Sequence, residues 1–321
     1  MRISLLSLFL LLISLNSFAQ QSQSWSSFYE VGFLWNPALT ARWNTWELSS
    51  TVRKEWTGFD NSPESGNISF QYPIVKRQTI LSIGGYIDYD RVGPYSQRSV
   101  AGTIAYKIKP QLFGNRDDVL SIGGNLSLQN RRFDPTNSKA FDGINGDRNL
   151  LISESTSFSP SLSLGTYYMS VSDFYSFKSH YYFGISGNQL IPSKIDLGPV
   201  GALSNNTNIT AHAGYRYFPR RSPYYIEPNI FINYSFTKAI NVMANVRYER
   251  VNSYWFSAGV VSNGEIFGQI GLIFNDRSFL GKIVKDGVLR IGTKVDYQLG
   301  SLGQFAGMGY EAYVAYLFEN E

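Results

Sequence analysis

The sequence has no cysteine, only two histidines and few charged residues. The missing thiols exclude disulfides, thiolate metal sites and cysteine nucleophiles in any redox compartment. Charged residues make up 16% of the chain, against roughly 25% in ordinary soluble domains. Lysine and arginine are scattered along the sequence, so there is no basic patch of the kind that marks a nucleic-acid-binding protein. The fold must be held by its hydrogen bonds and packing, and its surface is poor in charge.

Long apolar runs are also missing, because no stretch approaches the ~18 residues that a membrane-spanning helix needs. Residues 1–19 are the most apolar part: one charge at Arg2 is followed by a leucine-rich run and then by small residues up to Ala19. This pattern is typical of a secretory signal peptide, and we expect cleavage after Ala19.

What the chain does have is regular alternation of apolar and polar residues. Within residues 224–236 one face carries Ile226, Ile230, Ile232, Tyr234 and Phe236, and the other carries Glu227, Asn229 and Asn233. Side chains of a strand alternate between faces with a period of two, so the segment is predicted to be a strand with one apolar and one polar face. About fourteen such segments follow one another to the C-terminus.

A sheet with charge on one face and no helices to cover the other indicates a membrane barrel. The polar face then lines a wet interior, and the apolar face meets lipid. Closure is required because an open sheet edge would leave unpaired backbone groups in the bilayer. The predicted fold class is all-β: a transmembrane outer-membrane β-barrel of about fourteen antiparallel strands over residues 45–321, with twelve and sixteen strands as alternatives.

Residues 20–44 precede the first predicted strand and do not alternate. They are aromatic, and Trp35, Asn36, Pro37 and Trp43 lie among them. We expect this segment to fold as a plug in the lumen or its periplasmic mouth. A polar wall is predicted opposite it, made of Glu227, Asn229, Asn233, Asn241, Asn245, Arg247 and Glu249. The wall either simply keeps the lumen wet or holds the plug or an entering polypeptide tail.

The longest gaps between strands are residues 133–159 and 191–207. With a periplasmic N-terminus both gaps are predicted to be extracellular by parity. The first gap carries several oxygen ligands, at Asp134, Asp142, Asp147 and Glu154. Their spacing does not match a twelve-residue calcium loop, so a solvated loop is favoured over a calcium site, and no cofactor is predicted. Three prolines, Pro73, Pro160 and Pro228, predict bulges or strand ends because proline has no amide hydrogen.

Catalysis has weak support. His212 is predicted to face inward with Arg216, as a nucleophile relay would need, but no positioned serine or third group accompanies it. A wall-lining histidine is the favoured interpretation, and the chain is not predicted to be an enzyme.

Several short motifs occur in a characteristic order. They are Asn36-Pro37-Ala38-Leu39, Arg53-Lys54-Glu55-Trp56, Tyr72-Pro73, Phe133-Asp134-Pro135, Phe141-Asp142-Gly143, Tyr182-Phe183-Gly184-Ile185-Ser186 and Gly214-Tyr215-Arg216. In this order and spacing the chain resembles the PorP/SprF family of outer-membrane proteins, which is linked to type IX secretion and gliding in Bacteroidetes. The departure is at the C-terminus, where Glu319-Asn320-Glu321 extends past the family's last aromatic residue.

The resemblance implies a barrel in the outer membrane of a Gram-negative bacterium that helps to export or anchor a secreted adhesin. The implied partners are the adhesin's C-terminal targeting domain, periplasmic or lipoprotein components of the secretion apparatus, and outer-membrane lipid. Candidate partner-binding residues are Trp35, Asn36, Pro37, Trp43, Phe133, Asp134, Phe141, Asp142, Glu227, Asn229, Asn233, Asn245 and Arg247. The alternative is a channel for small hydrophobic molecules, for which an aromatic plug is expected as well.

Overall fold

Alternating sequence produces strands throughout the chain. The computed structural model describes residues 28–76, 79–112, 117–134, 155–171, 177–196, 202–220, 222–236, 239–276, 284, 287–300 and 303–318. The first eight strands are β1 (Trp46–Lys54), β2 (Glu64–Lys76), β3 (Thr79–Val92), β4 (Tyr95–Ile108), β5 (Val119–Phe133), β6 (Ser155–Met169), β7 (His180–Asn188) and β8 (Ser193–Asp196). The others are β9 (Ala202–Asn205), β10 (Asn208–Arg216), β11 (Tyr224–Ser235), β12 (Ala239–Arg250), β13 (Tyr254–Val261), β14 (Glu265–Phe274), β15 (Gly287–Gln298) and β16 (Met308–Phe318).

Fourteen of these strands form a closed antiparallel barrel, which confirms the predicted fold class. β1 closes the barrel by pairing with β16, from Trp46 opposite Phe318 to Lys54 opposite Tyr310. We call the end where β1 begins and β16 ends the terminal end, and the opposite end the loop end. The short helix α1 (Gly303–Ala306) lies at the loop end between β15 and β16. None of the helices in the described ranges is long and apolar enough to span a membrane.

The two remaining strands, β8 and β9, form a separate hairpin within the connection between β7 and β10. The alternation of the sequence did not predict this hairpin, because its strands are only four residues long. Ser193 of the hairpin accepts a hydrogen bond from the Arg131 guanidinium, which lies on the lumen face of β5. The hairpin therefore lies against the barrel wall at the loop end.

The barrel is apolar outside and polar inside, as the sequence predicted. Outward residues on its strands include Ile68, Val100, Leu126, Ile240 and Ile270, all strongly exposed. Most of the buried residues on the same strands are polar, as in the alternating burial of β5, with Met243 and Phe267 among the apolar exceptions. An apolar outer face of this kind is soluble only in lipid.

The depth of the membrane can be tested on β5 and β6. Leu126 is the central residue of β5 and is 62% exposed, whereas Phe158 lies near the loop end of β6 and is 70% exposed. We expect Leu126→Arg to destabilise the inserted barrel by about 2–4 kcal/mol and Phe158→Arg by about 0–1 kcal/mol, because the cost of a lipid-facing arginine falls with distance from the midplane. Urea titration of refolding into lipid vesicles measures both, and equal effects would contradict the placement of β5.

The three strand prolines do not create bulges or strand ends, so that prediction is wrong. Pro73, Pro160 and Pro228 all pair in register within β2, β6 and β11. Each lies where the ladder on one side is missing: the β1–β2 pairing ends at Gln71, the β6–β7 pairing begins at Leu164, and the β10–β11 pairing is interrupted after Asn229 and resumes where Tyr217 pairs with Ile226. Proline is tolerated there because its missing amide hydrogen has no partner to lose.

A short ladder leaves a seam between β6 and β7, because β7 ends at Asn188. Their pairing begins at Leu164 opposite Gly187, although β6 extends back to Ser155. Beyond the ladder, the Leu190 amide donates to the Leu162 carbonyl at 2.8 Å. Towards the loop end β6 therefore has a ladder partner on its β5 side only, among the described residues.

Candidate functional site: the plugged lumen

The lumen is filled at the terminal end by the chain's own N-terminal segment. We call residues 28–45 the plug. It has two 3₁₀ turns, Gly32–Leu34 and Pro37–Leu39, and its aromatic residues are largely buried. Tyr29, Val31, Phe33, Leu39 and Trp43 pack in one cluster with the inward residues Tyr167, Met169, Tyr182, Tyr313, Ala315 and Leu317 of the barrel. The predicted plug is therefore the core of the protein.

The Asn36-Pro37-Ala38 sequence forms a compact corner of the plug. The Asn36 side chain is fully buried; its Oδ1 accepts from the Ala38 amide at 3.0 Å, and its Nδ2 donates to the Thr166 carbonyl at 2.9 Å. Proline at the first position of the 3₁₀ turn has the φ that the turn needs. One side chain thus caps the turn and ties it to β6.

Three glycines of the wall make room for this corner, and we call them the glycine seat. A Cβ on Gly123 would lie 2.5 Å from the backbone of Pro37 and Ala38. A Cβ on Gly165 would lie 2.1 Å from Asn36 Oδ1, and one on Gly184 would lie 2.8 Å from Asn36 Nδ2. β5, β6 and β7 therefore carry glycine on their inner face where the plug comes closest, because no side chain fits there.

A buried charged cluster holds the other side of the plug. The Arg216 Nε donates to Glu227 Oε2 at 2.7 Å, and the same guanidinium donates to the Tyr29 hydroxyl. The Tyr182 hydroxyl donates to Glu227 Oε1 at 2.7 Å. Burial raises the pKa of the Tyr29 phenol, so Tyr29 remains a neutral donor and acceptor between these groups.

A second ion pair of the cluster crosses directly from wall to plug. Arg247 pairs with Glu30 of the plug and, at 2.7 Å, with Glu249 on its own strand. Arg290 of β15 pairs with the same Glu249 at 3.0 Å. The Arg247 guanidinium also lies 4.5 Å from the centre of the Tyr29 ring. Two arginines therefore balance two carboxylates, and the pairs join Glu30 of the plug to β12 and β15.

Neutral hydrogen bonds complete the attachment of the plug. The Trp35 carbonyl accepts from Ser186 at 2.6 Å, and the Ala38 carbonyl accepts from Ser121 at 2.6 Å. Ala41 has a positive φ of 49°, which is costly for a residue with a Cβ. Its amide donates to Gln71 Oε1 at 2.8 Å and its carbonyl accepts from Lys107, which holds it in that conformation.

The loop end of the lumen has a different charged cluster. Lys294 Nζ lies 3.1 Å from Glu265 and 2.9 Å from Asp296, and Glu311 is buried beside them across the β15–β16 pairing. Glu55 lies in the connection after β1. Burial raises the pKa of its carboxyl, and the Arg53 guanidinium opposes that rise. No group of histidines, cysteines and carboxylates in the described ranges has a metal-binding arrangement.

The structure brings six of the predicted site residues together: Trp35, Asn36, Pro37, Trp43, Glu227 and Arg247. The first four belong to the plug, and Glu227 and Arg247 contact it from the wall. The asparagines of the polar wall lie further along the same strands, with Asn229 opposite Asn245 and Asn233 opposite Asn241 near the loop end. Phe133 and Asp134 are separate from this site, at the loop end of β5, where the Asp134 amide donates to the Pro94 carbonyl at 2.9 Å.

Some predictions fall outside the described residues. These are the signal peptide, Phe141 and Asp142, and the acidic residues Asp147 and Glu154. Sequence reasoning missed Tyr29, Glu30, Arg42, Lys107, Arg290 and the glycine seat. The glycines had a usable signal, since each occupies an inward position of a strand whose other inward positions carry side chains.

His212 is packed against aromatic rings of the wall. Its ring is stacked on Tyr167, with the ring centres 5.7 Å apart, and its centre lies 6.5 Å from that of Tyr182. In the described part of the chain its side chain makes no hydrogen bond to a serine. The position beside Asn36 and the glycine seat makes His212 part of the packing around the plug.

These features define a class: a fourteen-stranded membrane barrel whose lumen is occupied by its own N-terminal segment. Two solved structures share the fold. They are the "TodX monoaromatic hydrocarbon channel deltaS2 mutant", with a TM-score of 0.52, 7% identity and 89% of this chain and 93% of that chain covered, and the "TodX deltaS2S3 mutant monoaromatic hydrocarbon channel", with a TM-score of 0.52, 9% identity and 90% and 94% covered. No curated protein matches the sequence.

The family follows from the sequence itself. The profile described as "Type IX secretion system membrane protein PorP/SprF" matches residues 17–316. The chain belongs to the PorP/SprF family, as its ordered motifs predicted. It is an outer-membrane barrel of the secretion and transport type.

Proposed function

We propose that this chain docks a secreted protein, through that protein's C-terminal targeting domain, at the loop end of the barrel and retains it there or aids its export without catalysis. The observation that carries the proposal is the plug. A segment held by the glycine seat, two ion-pair groups and several backbone contacts fills the terminal half of the lumen. A plugged barrel suits a docking platform better than a conduit for a polypeptide.

The two ends of the barrel favour opposite roles. With the terminal end in the periplasm, the two longest connections, residues 134–154 and 189–207, join strands at the extracellular end of the barrel. Phe133 ends β5, Asp134 begins the first connection, and the β8–β9 hairpin belongs to the second. The loop end would contact the adhesin, and the terminal end would contact periplasmic or lipoprotein components of the apparatus.

The plug residues that were predicted to bind a partner are assigned a different role in this proposal. Trp35, Asn36 and Trp43 are occupied by contacts inside the barrel. They could reach a partner only after the plug leaves its seat. We therefore assign the docking role to the loop end and a holding role to the plug residues, with Glu227 and Arg247 as the wall's side of that attachment.

The test is purification of the tagged protein in mild detergent from a cell with an active type IX system, followed by mass spectrometry of its companions. Replacing residues 134–154 and 191–207 by short Gly-Ser turns should remove the secreted companion and leave the periplasmic components. The matched control replaces residues 172–176, a connection of the terminal end, and should do the opposite. Retention of the secreted companion by the loop-end variant, with a normally assembled barrel, would contradict the proposal.

The channel alternative has one structural observation in its favour, the short ladder between β6 and β7. Such a seam could pass a small hydrophobic solute sideways into the lipid. Uptake of toluene by vesicles, with and without the intact protein, distinguishes the two roles. A rate that rises with protein, and falls when a disulfide engineered across the seam closes it, would support the channel. Equal rates with and without the protein would argue against the channel and leave the docking role as the proposal.

A further inference from the structure

A cavity of about 160 Å³ lies beside the plug at the terminal end. The plug contributes Arg42 and Asn44 to its lining, and the wall contributes residues of β3, β4, β5 and β6. Those wall residues are Ile80, Lys107, Ile108, Val119, Ser121, Tyr167 and Met169, with Lys109 following β4. Because the Lys109 side chain is exposed, the cavity reaches the surface at this end.

The lining has three basic side chains, Arg42, Lys107 and Lys109, and no carboxylate. Lys107 is buried, and its ammonium donates to the Ala41 carbonyl and, at 2.9 Å, to Asn44 Oδ1. Both acceptors are neutral, and Lys107 is in no ion pair within the described ranges. A buried ammonium without a counter-charge costs several kcal/mol, so the cavity favours an anion.

Acidic residues next to β5 at this end are already engaged, and Glu47 of β1 interacts electrostatically with Arg42. Asp118 accepts from the backbone amides of Gln111 at 2.9 Å and Leu112 at 2.7 Å. Asp117 pairs with Lys178 at 3.3 Å. Residues 20–27, which precede the plug, contain no aspartate or glutamate. A carboxylate for Lys107 must therefore come from outside the plug and these strands.

Most of the remaining lining residues are apolar, with Asn44, Ser121 and Tyr167 as the polar exceptions, and the volume of the cavity limits what it can hold. Ile80, Ile108, Val119 and Met169 face the same space as the basic groups. A dry cavity of ~150 Å³ holds a molecule the size of benzene. We infer that this cavity binds a carboxylate with one apolar substituent of about that size, with the carboxylate at Lys107 and Arg42. The source is either a free small carboxylic acid or the last residue of a polypeptide with a free C-terminus.

Calorimetric titration of the detergent-solubilised protein tests the site. Benzoate should bind, and benzyl alcohol, which has the same shape without the charge, should not. Lys107→Met should weaken benzoate binding at least about tenfold, as expected for loss of a charged hydrogen bond. The exposed Lys109→Met should weaken it by a smaller factor, and Val119→Trp should abolish it by filling the space. Lys178→Met, at the same end but outside the cavity, is the matched control.

Two further arms identify the source. N-acetyl-glycyl-phenylalanine binding tenfold more tightly than benzoate, and more tightly than its own amide, assigns the site to a polypeptide C-terminus. Benzoate binding more tightly than the peptide assigns it to a free acid. Equal binding of benzoate and benzyl alcohol, or unchanged binding in Lys109→Met and Val119→Trp, overturns the inference. So does binding that requires deletion of Glu319–Glu321, because the anion would then be the chain's own tail. The site is independent of the cargo role proposed above.

Discussion

Valine in place of Gly165 should release the plug without opening the barrel. Even the Cβ of the new side chain would lie 2.1 Å from Asn36 Oδ1 and 3.0 Å from Ser186 Cβ. Asn36 would have to leave its seat and lose both buried hydrogen bonds, to Ala38 and Thr166. Overpacking costs about 1–3 kcal/mol, and each buried polar group left unpaired costs about 1–3 kcal/mol more. The plug, rather than the wall, should move because the strands are fixed by ladders on both sides.

The absence of native cysteine makes this release measurable. Val31→Cys places a single thiol at a buried plug position in an otherwise thiol-free chain. We expect maleimide to label it at least about tenfold faster in the Gly165→Val background, since a loss of ~1.4 kcal/mol already changes the open population tenfold. Heat-modifiable migration in gels reports that the barrel is intact.

Two controls separate a steric effect from general damage. Gly102→Ala adds a Cβ that has no neighbour within 4 Å, so it should leave labelling unchanged. Asn36→Gly in the Gly165→Ala background removes the clashing atoms and should label no faster than Asn36→Gly alone. A slow, wild-type labelling rate in Gly165→Val would mean that the glycine seat does not position the plug.

Arg247→Met should have a comparable effect through charge. Arg247 joins Glu30 of the plug to the wall and also pairs with Glu249. Its removal leaves the Glu30 carboxylate buried without its guanidinium, and breaking a buried pair by removing one partner costs about 3–5 kcal/mol. Glu249 keeps Arg290, so the loss falls mainly on the plug. The same Val31→Cys labelling assay measures it.

Adding Glu30→Gln to Arg247→Met should recover part of the loss, because the double variant has no stranded carboxylate at this point. The matched surface control is Arg91→Met, whose pair with Glu64 is partly exposed at 3.3 Å and should be worth about 0–1 kcal/mol. If Arg247→Met labels as slowly as Arg91→Met, the ion pair to Glu30 does not hold the plug.

The barrel could be predicted because its determinants are local. Each strand is recognisable from its own alternation of apolar and polar residues. An aromatic, non-alternating segment that follows a predicted signal peptide has few places to pack other than the lumen. The prolines were harder, because whether Pro228 breaks a strand depends on where the β10–β11 ladder is interrupted. That is a property of two strands and cannot be read from either one.

The plug's attachment could be predicted only in part. Glu227 and Arg247 were identified as inward polar residues. Their partners in the plug are distant in sequence: Tyr29 is 198 residues from Glu227, and Glu30 is 217 residues from Arg247. Residue types alone cannot pair them. Gly165 and Asn36 are separated in the same way, and their fit depends on a close approach of the Asn36 side chain to the β6 backbone. The register of one strand and the path of the plug must both be known before that approach is visible.

The pairing of β1 with β16 has a consequence for biogenesis. Tyr313, Ala315 and Leu317 of the last strand pack against the plug, which is the first part of the chain to be synthesised after the predicted leader. A nascent chain that lacks its final strand leaves the plug's aromatic cluster incomplete. Only a chain that includes β16 can complete the packing of its N-terminal segment.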